Sequence, residues 1–152
     1  MRGLILKPIT IRLLFMALGY ALAVLVATTV VVAIMGAPTI FPDQGAWGSF
    51  YRFWRDFPMM FLFGLMMTSL YGLPGWLMSV IFAERRNRRG KLFFAITGLC
   101  TALLALIIAG GVGRGPLSQP LLSTACLIGG IFGGLAYWAV AGKTSGNWKS
   151  PA

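Results

Sequence analysis

The chain has 152 residues, of which 58% are hydrophobic and 11% charged, and its mean hydropathy is +0.82. Soluble domains carry roughly 25% charged residues, so this composition cannot cover a water-exposed globule and points to lipid as the main solvent. The net charge of +10 lies beside apolar runs, where orientation in a membrane and anionic headgroups account for it, which excludes nucleic acid as the expected partner. Histidine is absent, which removes the commonest general base and a principal zinc and haem ligand. A non-catalytic protein with no cofactor and no metal is the expectation.

Met1 to Arg12 is basic and precedes an apolar run, as a secretory signal does. The run from Leu13 to Met35 is 23 residues, longer than the roughly 7 to 15 of a signal core and sufficient for the ~20 residues that cross a hydrocarbon core. It is read as an uncleaved first span, with Gly36-Ala37-Pro38 expected to end it. In the connection to Asp56, Trp47, Phe50, Tyr51 and Trp54 fall at i, i+3, i+4 and i+7, while Arg52, Arg55 and Asp56 fall elsewhere. That spacing predicts a short amphipathic helix in the outer headgroup region, with Trp47, Tyr51 and Trp54 as candidate docking rings.

Phe57 to Phe82 is the second span. Pro74 within it should kink the helix and free the carbonyl of Leu70 for another partner. The strongly basic run from Arg85 through Arg86, Arg88 and Arg89 to Lys91 follows, and is a candidate contact for anionic phospholipids. Leu92 to Gly113 is the third span. Gly98, Thr101, Ala102, Ala105 and Ala109 cluster on one side and are expected to pack on helices, with Leu92, Ile96, Leu99, Leu103 and Leu106 facing lipid. The fourth span, Leu117 to Ala141, contains two overlapping GxxxG patterns, Gly129 with Gly133 and Gly130 with Gly134. These allow close backbone approach to the third span or to another protomer.

Ten Lys and Arg fall on one side (Arg2, Lys7, Arg12, Arg85, Arg86, Arg88, Arg89, Lys91, Lys143, Lys149) and three on the other (Arg52, Arg55, Arg114). The expected fold is therefore an all-α, single-domain bundle with spans at about 13–35, 57–82, 92–113 and 117–141, both termini cytoplasmic. The three acids, Asp43, Asp56 and Glu84, lie in or beside loops, which leaves no intramembrane carboxylate as an ion relay. Gly142-Lys143-Thr144 imitates the end of a phosphate-binding loop, but Tyr137 stands where that loop needs glycine.

Counted as depth along each span at about 1.5 Å per residue, Tyr20, Tyr71, Thr97, Thr101 and Tyr137 share one layer and form a candidate polar pocket for a lipid or amphipathic solute. The ending Gly133-Gly134-Leu135-Ala136-Tyr137-Trp138-Ala139-Val140-Ala141-Gly142-Lys143 resembles the close of small uncharacterised four-span bacterial inner-membrane proteins, which finish on an aromatic pair and Ala-Gly-Lys or Ala-Gly-Arg. That resemblance implies a bacterial cell membrane and carries no activity. The functional expectation is an accessory or assembly subunit of a larger membrane complex, bound to other subunits or to itself through Gly98, Ala102 and the glycines of the fourth span. The alternative is a small homo-oligomeric transporter, channel or lipid flippase that uses the second span.

Overall fold

The computed structural model describes residues 2–40, 47–86, 90–114 and 119–142, with side chains for 10–36, 51–85, 90–108 and 119–142. Every element among them is helical: α1 (Arg2–Ile40), α2 (Trp47–Arg86), α3 (Lys91–Arg114) and α4 (Pro120–Val140), with no strand. All four are long and apolar enough to cross a membrane, so the chain is a multi-pass membrane protein.

Two boundaries differ from those expected. Gly36 does not end α1, which continues to Ile40. Its missing Cβ serves a different purpose, because the ring of Phe53 on α2 occupies the space that a side chain at 36 would need. Nor do the rings after Trp47 form a helix of their own. They are the first turns of α2, which runs uninterrupted through Pro58 and Pro74 for 40 residues, about 60 Å at 1.5 Å per residue and twice a hydrocarbon core. Proline at position 120 sits in the first turn of α4, where its missing N–H costs nothing.

The helices form a closed ring in which α1 packs on α2 and α4, and α3 packs on α2 and α4. Neighbours are antiparallel: Gly19, Ala23 and Ala27 of α1 meet Tyr137, Gly133 and Gly129 of α4 in turn. The four glycines of α4 divide by face. A Cβ on Gly129 or Gly133 would stand 3.0 Å from the carbonyl oxygen of Ala27 or Ala23 on α1. One on Gly130 would stand 2.6 Å from the Gly98 oxygen and 2.7 Å from the Ala102 Cβ on α3, and one on Gly134 would collide with the Phe94 carbonyl. Both GxxxG patterns are therefore used within the chain. They bring α1 and α3 against opposite sides of α4, with the α3 side too close for any Cβ and the α1 side tight for one.

One cluster of buried side chains lies toward one end. Ala83, Phe94, Tyr137 and Ala141 form a cluster with Trp76 and Trp138 packed against it. Arg12 and Glu84, 14% exposed each, pair across α1 and α2 beside this cluster. This is called the basic end, since Arg85 and Lys91 are exposed there.

Candidate functional site

Glycine holds α4 tightly to its neighbours, whereas α2 faces the others with Phe63, Met67, Tyr71 and Trp76. The space between them is a cavity of about 480 Å³ walled by all four helices, within the range of about 300–1,000 Å³ typical of small-molecule sites. The stripe Gly64, Thr68, Gly72, Trp76 and Val80 on α2 lines it at an interval of four residues. On α1 the lining residues are Tyr20, Ala23, Val24, Ala27 and Val31. Phe94, Thr97, Gly98, Thr101, Ala105 and Leu106 come from α3, and Leu122, Cys126, Gly130 and Tyr137 from α4. No lining residue is charged.

The cavity changes character along its length. At the basic end it is aromatic, with Tyr20 and Trp76 ring centroids 4.5 Å apart, Trp76 and Tyr137 at 6.2 Å edge to face, and Phe94 and Tyr137 at 5.6 Å. At the other end Val31, Phe63, Leu106 and Leu122 line it. From Phe63 to Val80 the lining covers about 25 Å of α2, most of the ~30 Å thickness of a hydrocarbon core.

Most hydroxyls around the cavity are satisfied by the protein. Tyr20 donates to the Ser69 carbonyl, Thr97 to Phe94, Thr101 to Thr97 and Ser79 to Gly75. Thr28, 1% exposed, shares a 3.3 Å hydrogen bond with Thr68. That pair spends one hydroxyl hydrogen and keeps the other, and three further donors are left over toward the basic end. The Trp76 indole N–H is buried without a partner in hydrogen-bond geometry, the Tyr71 hydroxyl makes no hydrogen bond among the described residues, and the Tyr137 hydroxyl has only the approach of the Trp76 N–H, which leaves its own hydrogen to donate. Trp76 does approach the Tyr137 phenol, but the two do not reach hydrogen-bond geometry. In a medium without water such a donor costs on the order of 1–3 kcal/mol.

The five hydroxyl residues singled out from depth, Tyr20, Tyr71, Thr97, Thr101 and Tyr137, all line this one cavity. Gly98 and Ala102 reach it too, along with Gly130, Gly133 and Gly134. Leu106, placed on the lipid face by helical periodicity, is instead 4% exposed and part of the wall, because α3 is flanked by α2 and α4 and its buried sector is wider than its small residues mark. Of the ring-rich face, Tyr51 and Trp54 are exposed, whereas the Trp47 side chain lies outside the described residues. So do Arg88, Arg89 and the side chain of Arg86.

Sequence reasoning missed Trp76, Gly72, Thr68 and the Arg12–Glu84 pair. The interval of four along α2 was a legible signal for the first three. The pair joins residues 72 apart, and its only sequence mark is that each is the charge that borders an apolar run. Among the described residues no group of His, Cys, Asp or Glu could hold a metal. Comparison with known families, curated proteins and solved structures finds no match.

Proposed function

We propose that the protein is an intramembrane carrier that binds a lipid-like molecule in the interhelical cavity and moves it within or across the bilayer. The observation that carries this reading is the cavity itself, apolar, uncharged and lined by every helix. A bundle built only for docking would fill that space with side chains, since native interiors leave few voids larger than a water. The uncharged wall argues against an ion pathway, because such pathways are marked by intramembrane acids or bases. Alone of the four, α2 meets its neighbours without a glycine zipper, which makes it the element best able to part from them and admit a chain.

In this reading the chain sits in a bacterial inner membrane with both termini cytoplasmic, as the ten-to-three partition of Lys and Arg supports. The cavity's aromatic end then lies in the inner half, near the anionic headgroups that Arg85 and Lys91 attract.

Filling the cavity tests the carrier. A Cβ at Gly72 meets only the Tyr20 hydroxyl, at 3.9 Å, so Gly72→Leu should fold while occupying the site. The expected result is a lipid retained by the native protein through detergent washing, seen by native mass spectrometry, and lost from the variant at unchanged melting temperature. Equal retention by both, or none by either, overturns the reading.

A second reading, an accessory subunit, is supported by Tyr51 and Trp54, which are 77% and 52% exposed at the start of α2. Large exposed rings mark docking surfaces as well as membrane interfaces. Replacing both by serine should release a partner from native membranes, and unchanged co-purification counts against this role.

A further inference from the structure

We infer that the occupant of the cavity is a neutral lipid whose head carries carbonyl oxygens, seated at the basic end on Tyr71, Trp76 and Tyr137, with its hydrocarbon tail running toward Phe63 and Leu106. This rests on the carrier reading above, and specifies the chemistry that the cavity selects.

The wall supplies three kinds of constraint. First, it contains no charge of either sign, and a charged head moved into such a site would lose its hydration without a counter-ion. The occupant is therefore neutral. Second, the groups left over are donors. The hydroxyls of Tyr20, Thr97, Thr101 and Ser79 are spent on backbone carbonyls, and Thr28 donates to Thr68, which keeps its own hydrogen. What remains toward the basic end is the Trp76 N–H, which can only donate, and the Tyr71 and Tyr137 hydroxyls, which line the cavity and each have a hydrogen to give. Tyr137 is 5% exposed, so bulk solvent does not satisfy it. A ligand that complements this set accepts hydrogen bonds at more than one atom. Carbonyl oxygens do so without bringing donors of their own, and burying them here relieves the cost that the unpaired groups carry.

Third, these three donors lie toward one end. Trp76 and Tyr137 stand edge to face, with Tyr20 and Phe94 packed on them, and Tyr71 is five residues, about 7.5 Å, further along α2. Beyond Tyr71 the lining is mostly apolar, with Met67, Gly64 and Phe63 around a single hydroxyl residue of α2, Thr68, and it ends in Val31, Leu106 and Leu122. A molecule with an acceptor-rich head and a long apolar tail matches that gradient in one orientation.

Carbonyls in a neutral lipid come from two sources, an ester-linked diacylglycerol or a flat isoprenoid quinone. The full-length protein, stripped of lipid in detergent, is titrated separately with diacylglycerol, an isoprenoid quinone, squalene as a carbonyl-free hydrocarbon, and phosphatidylglycerol as an anionic ester lipid. Occupancy is read by native mass spectrometry. At least one neutral carbonyl lipid should bind about ten-fold tighter than squalene and than phosphatidylglycerol. The variant Tyr71→Phe/Trp76→Phe/Tyr137→Phe should bring that affinity down to the level of squalene while squalene still binds. A quinone preferred over diacylglycerol assigns a flat head among the rings, and the reverse preference assigns an ester.

Squalene binding as tightly as the carbonyl lipids overturns head recognition and leaves the carrier reading standing. The anionic lipid binding tightest overturns neutrality. Failure of all four probes to bind overturns both.

Discussion

The α4 contacts and the α2 contacts are two solutions to packing helices in lipid, where no hydrophobic force draws them together. Around α4 the side chains have been removed: Gly129, Gly130, Gly133 and Gly134 let carbonyl groups of α1 and α3 come within reach of its backbone. Around α2 they have been kept. Phe53 fits against Gly36, Tyr20 lies against Trp76, and Gly75 alone comes close enough to α3 that a Cβ would meet Thr101 at 2.7 Å. The consequence shows in burial. In α1, 28% of the spanning window is buried, but in α2 only 6%. Close approach leaves no room for a guest, whereas contact through large side chains at intervals leaves the space between those side chains.

The largest effect on this contrast is expected from the ion pair that ties α2 to α1 at the basic end. Arg12→Ala takes the Arg12 guanidinium away from a Glu84 carboxylate that is 14% exposed. Breaking a buried pair from one side costs about 3–5 kcal/mol, so thermal unfolding in detergent should shift strongly downward. The double variant Arg12→Leu/Glu84→Leu should recover most of the loss. If the single variant unfolds like the native protein, the pair is no more than a surface contact.

Next in size is an attack on the zipper. Gly134→Leu drives a side chain into the Phe94 carbonyl, and overpacking against backbone should cost at least about 3 kcal/mol. The comparison sharpens when this is set beside Gly72→Leu, which introduces the same side chain on the open face of α2. A zipper that tolerates leucine as well as the cavity does would erase the distinction between the two regions. The smallest effect is expected from Met78→Ala. Met78 is 71% exposed, so lipid replaces lipid-like packing and stability should move by less than about 0.5 kcal/mol.

The four spans were legible because hydrocarbon thickness imposes a length and expels charge, and both are written in the order of residues. The glycines of α4 were legible as a packing surface for a related reason: few other demands place glycines at intervals of four in a helix. Which helices they meet was not. Gly129 and Gly130 look alike in sequence, and only the ring order of the bundle sends one toward α1 and the other toward α3. Depth counting placed Tyr20, Tyr71, Thr97, Thr101 and Tyr137 in one layer, but depth says nothing of azimuth, and the cavity depends on azimuth. Trp76 was hidden for the opposite reason, as an aromatic residue in a span needs no explanation until its N–H proves to be without a partner. Gly36 and Pro38 misled because a glycine near a span end has two uses, and the ring of Phe53 is not visible from position 36.

The ring order has a consequence for how the protein comes into being. Among the described residues no extensive contact joins α1 to α3 or α2 to α4, so before α4 is in place α1 and α3 are joined only through α2, and α4 follows the other three in order. While a ribosome is still making the first three helices, they form an open train whose small-residue faces wait in the bilayer. The container closes only when the final helix is inserted between the first and the third. On the carrier reading proposed above, loading would be deferred until α4 is in place, and because a bound molecule stabilises only the finished form, occupancy would double as a signature of correct assembly.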